Sequence, residues 1–129
     1  MKIWKVAMML LVSLAGSFVA CKKDNVNPPF VIEGKWEGKL GTAPNSPNSY
    51  FAIQIKPGGV LERLNASGTV TGTGTWQLAG NQFSGTYTFT SGTVVEITGN
   101  VDKGSNKVSG NWENSGNEQG SWYASKTNF

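Results

Sequence analysis

From Phe30 onward, apolar residues recur at every second position, and no segment shows the three-to-four spacing of a helix. Ile32, Gly34, Trp36, Gly38 and Leu40 share one face, while Glu33, Lys35, Glu37 and Lys39 share the other. That alternation predicts a half-buried strand. Phe51, Ile53 and Ile55 mark a second strand and residues 60–65 a third. Gly72, Gly74, Trp76 and Leu78 oppose Thr71, Thr73, Thr75 and Gln77 in a fourth. Phe83, Gly85, Tyr87 and Phe89 mark a fifth, and Val95, Ile97, Gly99 and Val101 a sixth. Val108, Gly110 and Trp112 belong to a seventh, Gly120, Trp122 and Ala124 to an eighth.

Most connections are short and built of Gly, Asn and Ser, as in Ala79-Gly80-Asn81, Lys103-Gly104-Ser105-Asn106 and Asn114-Ser115-Gly116-Asn117. Such turns force sequential strands to pair antiparallel. The expected fold is therefore all-β: an eight-stranded antiparallel up-and-down meander. Pairing the first strand with the last would close it into a small barrel and remove both edges. A two-sheet sandwich is the competing architecture, and it requires longer crossovers. Only residues 41–48 and 65–70 offer that length.

Four inward stretches read G-x-W: Gly34-Lys35-Trp36, Gly74-Thr75-Trp76, Gly110-Asn111-Trp112 and Gly120-Ser121-Trp122. In a narrow barrel, glycine permits strong coiling and leaves room for a neighbour's ring. An eight-stranded barrel is just wide enough to be filled by side chains or to hold one small ligand. Trp36, Trp76, Trp112, Trp122 and Tyr87 are thus either core or the wall of an apolar pocket. One of Glu62 and Arg63 must share a face with apolar neighbours. If Val60 and Leu64 point inward, Glu62 becomes a polar contact inside the barrel. A buried carboxylate is costly unless paired.

The G-x-W on the first strand of such a meander resembles the lipocalin and calycin group, and the size is similar to that of avidin-type barrels. In lipocalins that motif lies near the closed end, and a basic residue late in the last strand packs across the tryptophan. The resemblance implies this role for Lys126 beside Trp36, and it makes the loop of residues 41–48 the counterpart of a lid. It covers most of residues 31–127. The chain lacks the C-terminal helix of a full lipocalin and carries Lys where Arg is commoner.

The N-terminus changes the picture. Lys2 and Lys5 precede a stretch, Val6–Ala20, that is apolar apart from Ser13, Gly16 and Ser17. This has signal-peptide length and falls short of a membrane span of ~20 residues. It ends in Phe18-Val19-Ala20-Cys21, which resembles a bacterial lipobox with Phe18 where Leu is usual. Cys21, the single cysteine, is the expected lipidation site. The following Lys22-Lys23-Asp24 resembles the start of lipoproteins from Bacteroidota, and the barrel resembles their small lipocalin-like domains. The expected organisation is a signal peptide over 1–20, a lipidated tether over 21–30 and a β-barrel domain over 31–129. The resemblance implies an outer-membrane lipoprotein, facing the periplasm or exposed at the surface.

Charge and chemistry narrow the function. Without Lys2 and Lys5 the formal charge drops from +3 to about +1, so nothing marks a nucleic-acid surface. The chain has no histidine, and outside Cys21 no thiol. Ser-His-Asp and Cys-His catalysis and the usual zinc sites are excluded. No motif implies a cofactor or a metal. The expected protein is a non-enzymatic, membrane-anchored envelope component that binds a small hydrophobic ligand. The alternative is a filled barrel that acts as a protein-interaction module, either an envelope accessory subunit or an enzyme inhibitor.

Overall fold

The computed structural model describes residues 29–127, so the expected signal peptide and Cys21 lie outside the described residues. Eight strands follow one another: β1 (Gly34–Thr42), β2 (Ser49–Lys56), β3 (Val60–Leu64), β4 (Val70–Ala79), β5 (Gln82–Phe89), β6 (Val94–Asp102), β7 (Lys107–Asn114) and β8 (Gln119–Lys126). A 3₁₀ turn, Pro57–Gly59, joins β2 to β3. Each strand pairs antiparallel with the next, and β8 returns to β1, with Trp36 opposite Lys126 and Leu40 opposite Trp122. The sheet is a closed meander barrel, and no sandwich forms.

Closure gives the molecule two rims. One carries the N-terminal segment, the turn after β2, the turns between β4 and β5 and between β6 and β7, and the end of β8. The far rim carries the loops after β1, β3, β5 and β7.

The first strand begins at Gly34, two residues later than the alternation predicts. Gly34 has φ +139°, a conformation that side chains resist, and it breaks the extended run. Ile32 folds back over the rim instead. It is buried, and its carbonyl accepts the Trp36 indole N–H at 2.9 Å. Phe30 packs beside Trp36 with ring centroids 6.4 Å apart. The N-terminal segment therefore plugs its own end of the barrel.

The interior is filled. Trp36, Phe51, Ile53, Leu61 and Ile97 have no exposed surface, and Phe83, Tyr87 and Trp122 are at 1%. A row of rings runs along the axis. Phe51 meets Trp122 at 5.2 Å, Trp122 meets Phe83 edge-on at 6.4 Å, and Phe83 stacks on Trp76 at 6.4 Å. Burying one such ring removes ~150–250 Å² from water, which is ~4–6 kcal/mol of gross stabilisation before ordering costs.

Register settles the ambiguous third strand. Arg63 lies opposite Ile53 and Gly72 on the inward face, whereas Glu62 lies opposite Gln54 and Thr73 on the outer one. The expectation of Glu62 as an interior contact is therefore corrected. Glu62 forms an outer ion pair with Lys56 at 3.2 Å, and the interior charge is Arg63. Leu61 shares the inward face with Arg63 and joins the core cluster, whereas Leu64, opposite Ala52, is buried on the outer phase.

Candidate functional site

The four tryptophans of the G-x-W stretches are committed to the backbone. Trp36 donates to Ile32 O, Trp76 to Lys56 O at 2.8 Å and Trp112 to Gly41 O at 3.0 Å. Trp122 donates to both Thr98 O at 3.0 Å and Asn111 O at 3.1 Å. A buried indole N–H needs such a partner, and here each is met by the fold itself. Trp36, Trp112, Trp122 and Tyr87 belong to the core cluster. Trp76 is only partly buried and packs against that cluster over the turn after β2.

The glycines do something different from what spacing suggests. A Cβ on Gly74 would overlap the carbonyl oxygen of Thr86, and one on Gly110 that of Thr98. At Gly120 it would overlap Gly41 O and crowd the Trp112 indole nitrogen at 2.8 Å. These glycines mainly let neighbouring strands approach. Room for side chains is made at Gly85, against Leu61, and at Gly99, against Val108 and Trp122. β7 and β8 bring two G-x-W stretches into reciprocal register, Gly110 opposite Trp122 and Trp112 opposite Gly120.

Lys126 lies opposite Trp36, with its side chain against Gly34. Its ammonium donates to Val31 O at 2.7 Å and so ties the last strand to the N-terminal plug.

Inside the barrel, towards the far rim, the Arg63 guanidinium lies 4.8 Å from the Phe51 ring centre and 5.9 Å from that of Phe89. It donates to Leu64 O at 2.6 Å and Tyr50 O at 3.4 Å, while its buried Nε has no partner. Burial pushes the Tyr87 phenol up, and the positive charge of Arg63 partly opposes that rise. On the outer face the Tyr50 hydroxyl donates to the Glu37 carboxylate. Burial, that hydrogen bond and the negative charge of Glu37 push the Tyr50 phenol up to about 12, against a smaller opposing effect of Arg63.

A concavity among the described residues lies outside the barrel. After β1 the chain runs beside β8. Ala43 N donates to Gln119 O at 2.9 Å, which pins the loop against β8. Ala43, Pro44 and Asn45 thereby overhang the outer faces of β6, β7 and β8 and enclose an open groove of about 630 Å³. Its walls are two cross-strand rows: Thr98, Asn111 and Ser121, then Glu96, Glu113 and Gln119. The edge of Trp112, 7% exposed, reaches its floor beside Gly120. A smaller depression of about 220 Å³ on the outside of β4, β5 and β6 shares Glu96 and Thr98. Of the residues expected to form an interior pocket, only Trp112 touches the groove and only Trp76 the smaller depression. Glu96, Thr98, Asn111 and Glu113 alternate with the inward residues of β6 and β7, but alternation does not show the loop that converts this face into a groove.

The fold thus defines the class, a closed eight-stranded up-and-down barrel with a packed interior. Comparison of the chain with family models, curated proteins and solved structures finds no match.

Proposed function

We propose that this chain is a lipid-anchored, non-enzymatic component of a bacterial envelope that works as a protein-interaction module, with the outer groove beneath residues 43–45 as its contact surface. The observation that carries this reading is the occupied interior. The axial row of Phe51, Trp122, Phe83 and Trp76 fills the space a small ligand would need. The groove offers hydroxyls, amides and carboxylates on a rigid sheet, which suits a polar protein contact. Anchoring through acyl chains on Cys21, by which the protein would partner the membrane, rests on the sequence.

A second reading keeps the barrel as a carrier of a small hydrophobic ligand. The unpartnered Nε of Arg63 near the mouth favours it, since an anionic head group would satisfy that donor. Titration of tryptophan fluorescence with a panel of fatty acids and apolar probes separates the two. The packed interior predicts no saturable change in Trp36, Trp112 or Trp122 emission. A saturable response that vanishes in Arg63→Met would replace the first reading by the second.

A further inference from the structure

The cations of this protein are not spread evenly over the barrel. Lys35 lies near the start of β1, Lys56 ends β2, Lys103 sits in the turn after β6, and Lys107 starts β7. All four surround the rim where the N-terminal segment enters, and Lys126 ends β8 there as well, held by Val31 O. The other described cations are Lys39 on the barrel's flank and Arg63 between its two rings. The far-rim loops, residues 43–48, 65–69, 90–93 and 115–118, contain no lysine or arginine and carry Glu118. Glu96 and Glu113, directly opposite each other, lie towards that side.

The basic rim holds three carboxylates. Glu62 is paired with Lys56, Asp102 accepts the Gly104 N–H, and Glu33 lies in the entering segment. Lysines remain in excess, and Lys22 and Lys23 precede the same rim in sequence. The rim is also apolar at its tips, with Val31 at 47% and Val60 at 41% exposure. Among the described residues the two other exposed large hydrophobics, Val70 and Tyr123, lie at the far rim and on the flank.

The chain outside the structure says what covers this rim. It enters at residue 29, eight residues after Cys21 and nine after the end of the apolar run. Fully extended, those eight residues span at most ~30 Å. With Cys21 at the bilayer, lipid lies within that reach of this rim.

We propose that the N-terminal rim docks on an anionic lipid surface, with Lys35, Lys103 and Lys107 at the headgroups and Val31 and Val60 at the interface. The groove and the far rim then face away from the membrane. Each lysine near such a surface strengthens association about fivefold, and the effect decays within a Debye length. The proposal rests on the membrane-anchored reading.

The test is lysine footprinting of the full chain, reconstituted in phosphatidylcholine vesicles with and without phosphatidylglycerol, using a membrane-impermeant acylating reagent. Docking predicts that Lys35, Lys103 and Lys107 are each labelled at least ~5-fold more slowly in the anionic than in the neutral vesicles, while Lys39 is labelled alike in both. That protection should disappear near ~1 M salt, where the Debye length falls to ~3 Å. In Lys103→Glu/Lys107→Glu, both exposed positions, Lys35 should lose its protection. Rim lysines labelled at the same rate in both membranes overturn the proposal, and so does failure of the full chain to float with either vesicle. Absence of acyl chains on Cys21 with the rim still protected would overturn only the lipidation reading.

Discussion

Trp122 stands directly opposite Gly110 across the β7–β8 ladder, and its indole N–H donates to the Thr98 carbonyl one strand further on. The same carbonyl is the atom that a side chain at Gly110 would strike. Glycine and tryptophan are therefore one device. The missing Cβ lets β6 and β7 approach, and the ring from β8 then fastens to both strands through its bifurcated hydrogen bond.

Gly110→Ala should consequently destabilise the barrel well beyond the propensity change. Overlap with Thr98 O and the Gly99 backbone has no flexible side chain to absorb it. The expected loss is ~1–3 kcal/mol, read as a lower midpoint in urea unfolding. Gly116→Ala, whose Cβ would meet only Asn114 Oδ1 at 3.4 Å, serves as the control and should stay within ~0.5 kcal/mol.

Trp36 tests the plug at the N-terminal rim. Trp36→Phe keeps a ring but leaves the Ile32 carbonyl without its donor, for an expected cost of ~1–3 kcal/mol. Trp36→Ala should cost ~3–5 kcal/mol, because the residue is fully buried. Faster hydrogen exchange over residues 30–35 in Trp36→Phe would locate the loss at the plug. Uniform acceleration over all strands would contradict this assignment.

The raised phenols predict an alkaline weakness. Tyr50 holds its proton to about 12 in the folded state, whereas the unfolded phenol releases it near 10. Over that window the unfolded chain binds fewer protons than the folded one, so stability falls as pH rises. Tyr87, also raised, adds in the same direction. Absorbance titration of Glu37→Gln should show one phenol ionising earlier than in the parent chain. An unchanged titration would mean that Tyr50 does not feel Glu37.

Arg63→Met is expected to be neutral or stabilising. It removes a buried donor without a partner and keeps volume between Phe51 and Phe89. It also removes the positive charge that opposes the rise at Tyr87, whose phenol should then titrate later. A loss above ~3 kcal/mol would show that the carbonyl contacts to Leu64 and Tyr50 outweigh the desolvation cost.

For the anchor, labelled palmitate should enter the parent chain and not Cys21→Ser, since the chain holds no second cysteine. Equal incorporation into both would refute lipidation at this residue.

Alternation made all eight strands legible, because each has one face towards a single core and its period of two survives even where glycine replaces the apolar residue. It failed where a local feature interrupts that period. Ile32 is in phase with Trp36, yet Gly34 turns the chain and removes it from β1. In β3, Val60, Leu61 and Leu64 are compatible with either face. The pairing with β2 that resolves this, Arg63 opposite Ile53, leaves no mark in composition. The pairing of Gly110 with Trp122 follows from the turn after β7, so register matters more there than the motif itself. The groove was not legible, because it depends on the path of residues 43–45 against Gln119, a contact distant in sequence.

Because β8 returns to β1, the chain leaves the barrel beside the place where it entered. Both ends of the described chain share one rim, and the other rim consists solely of connections. A fluorophore, epitope or fused domain placed at the C-terminus would crowd the N-terminal plug and the Lys126 contact with Val31. Reporters are better inserted at Ser67-Gly68 or Ser91-Gly92. Both Gly68 and Gly92 have open space around them, and both loops lie on the side remote from either terminus.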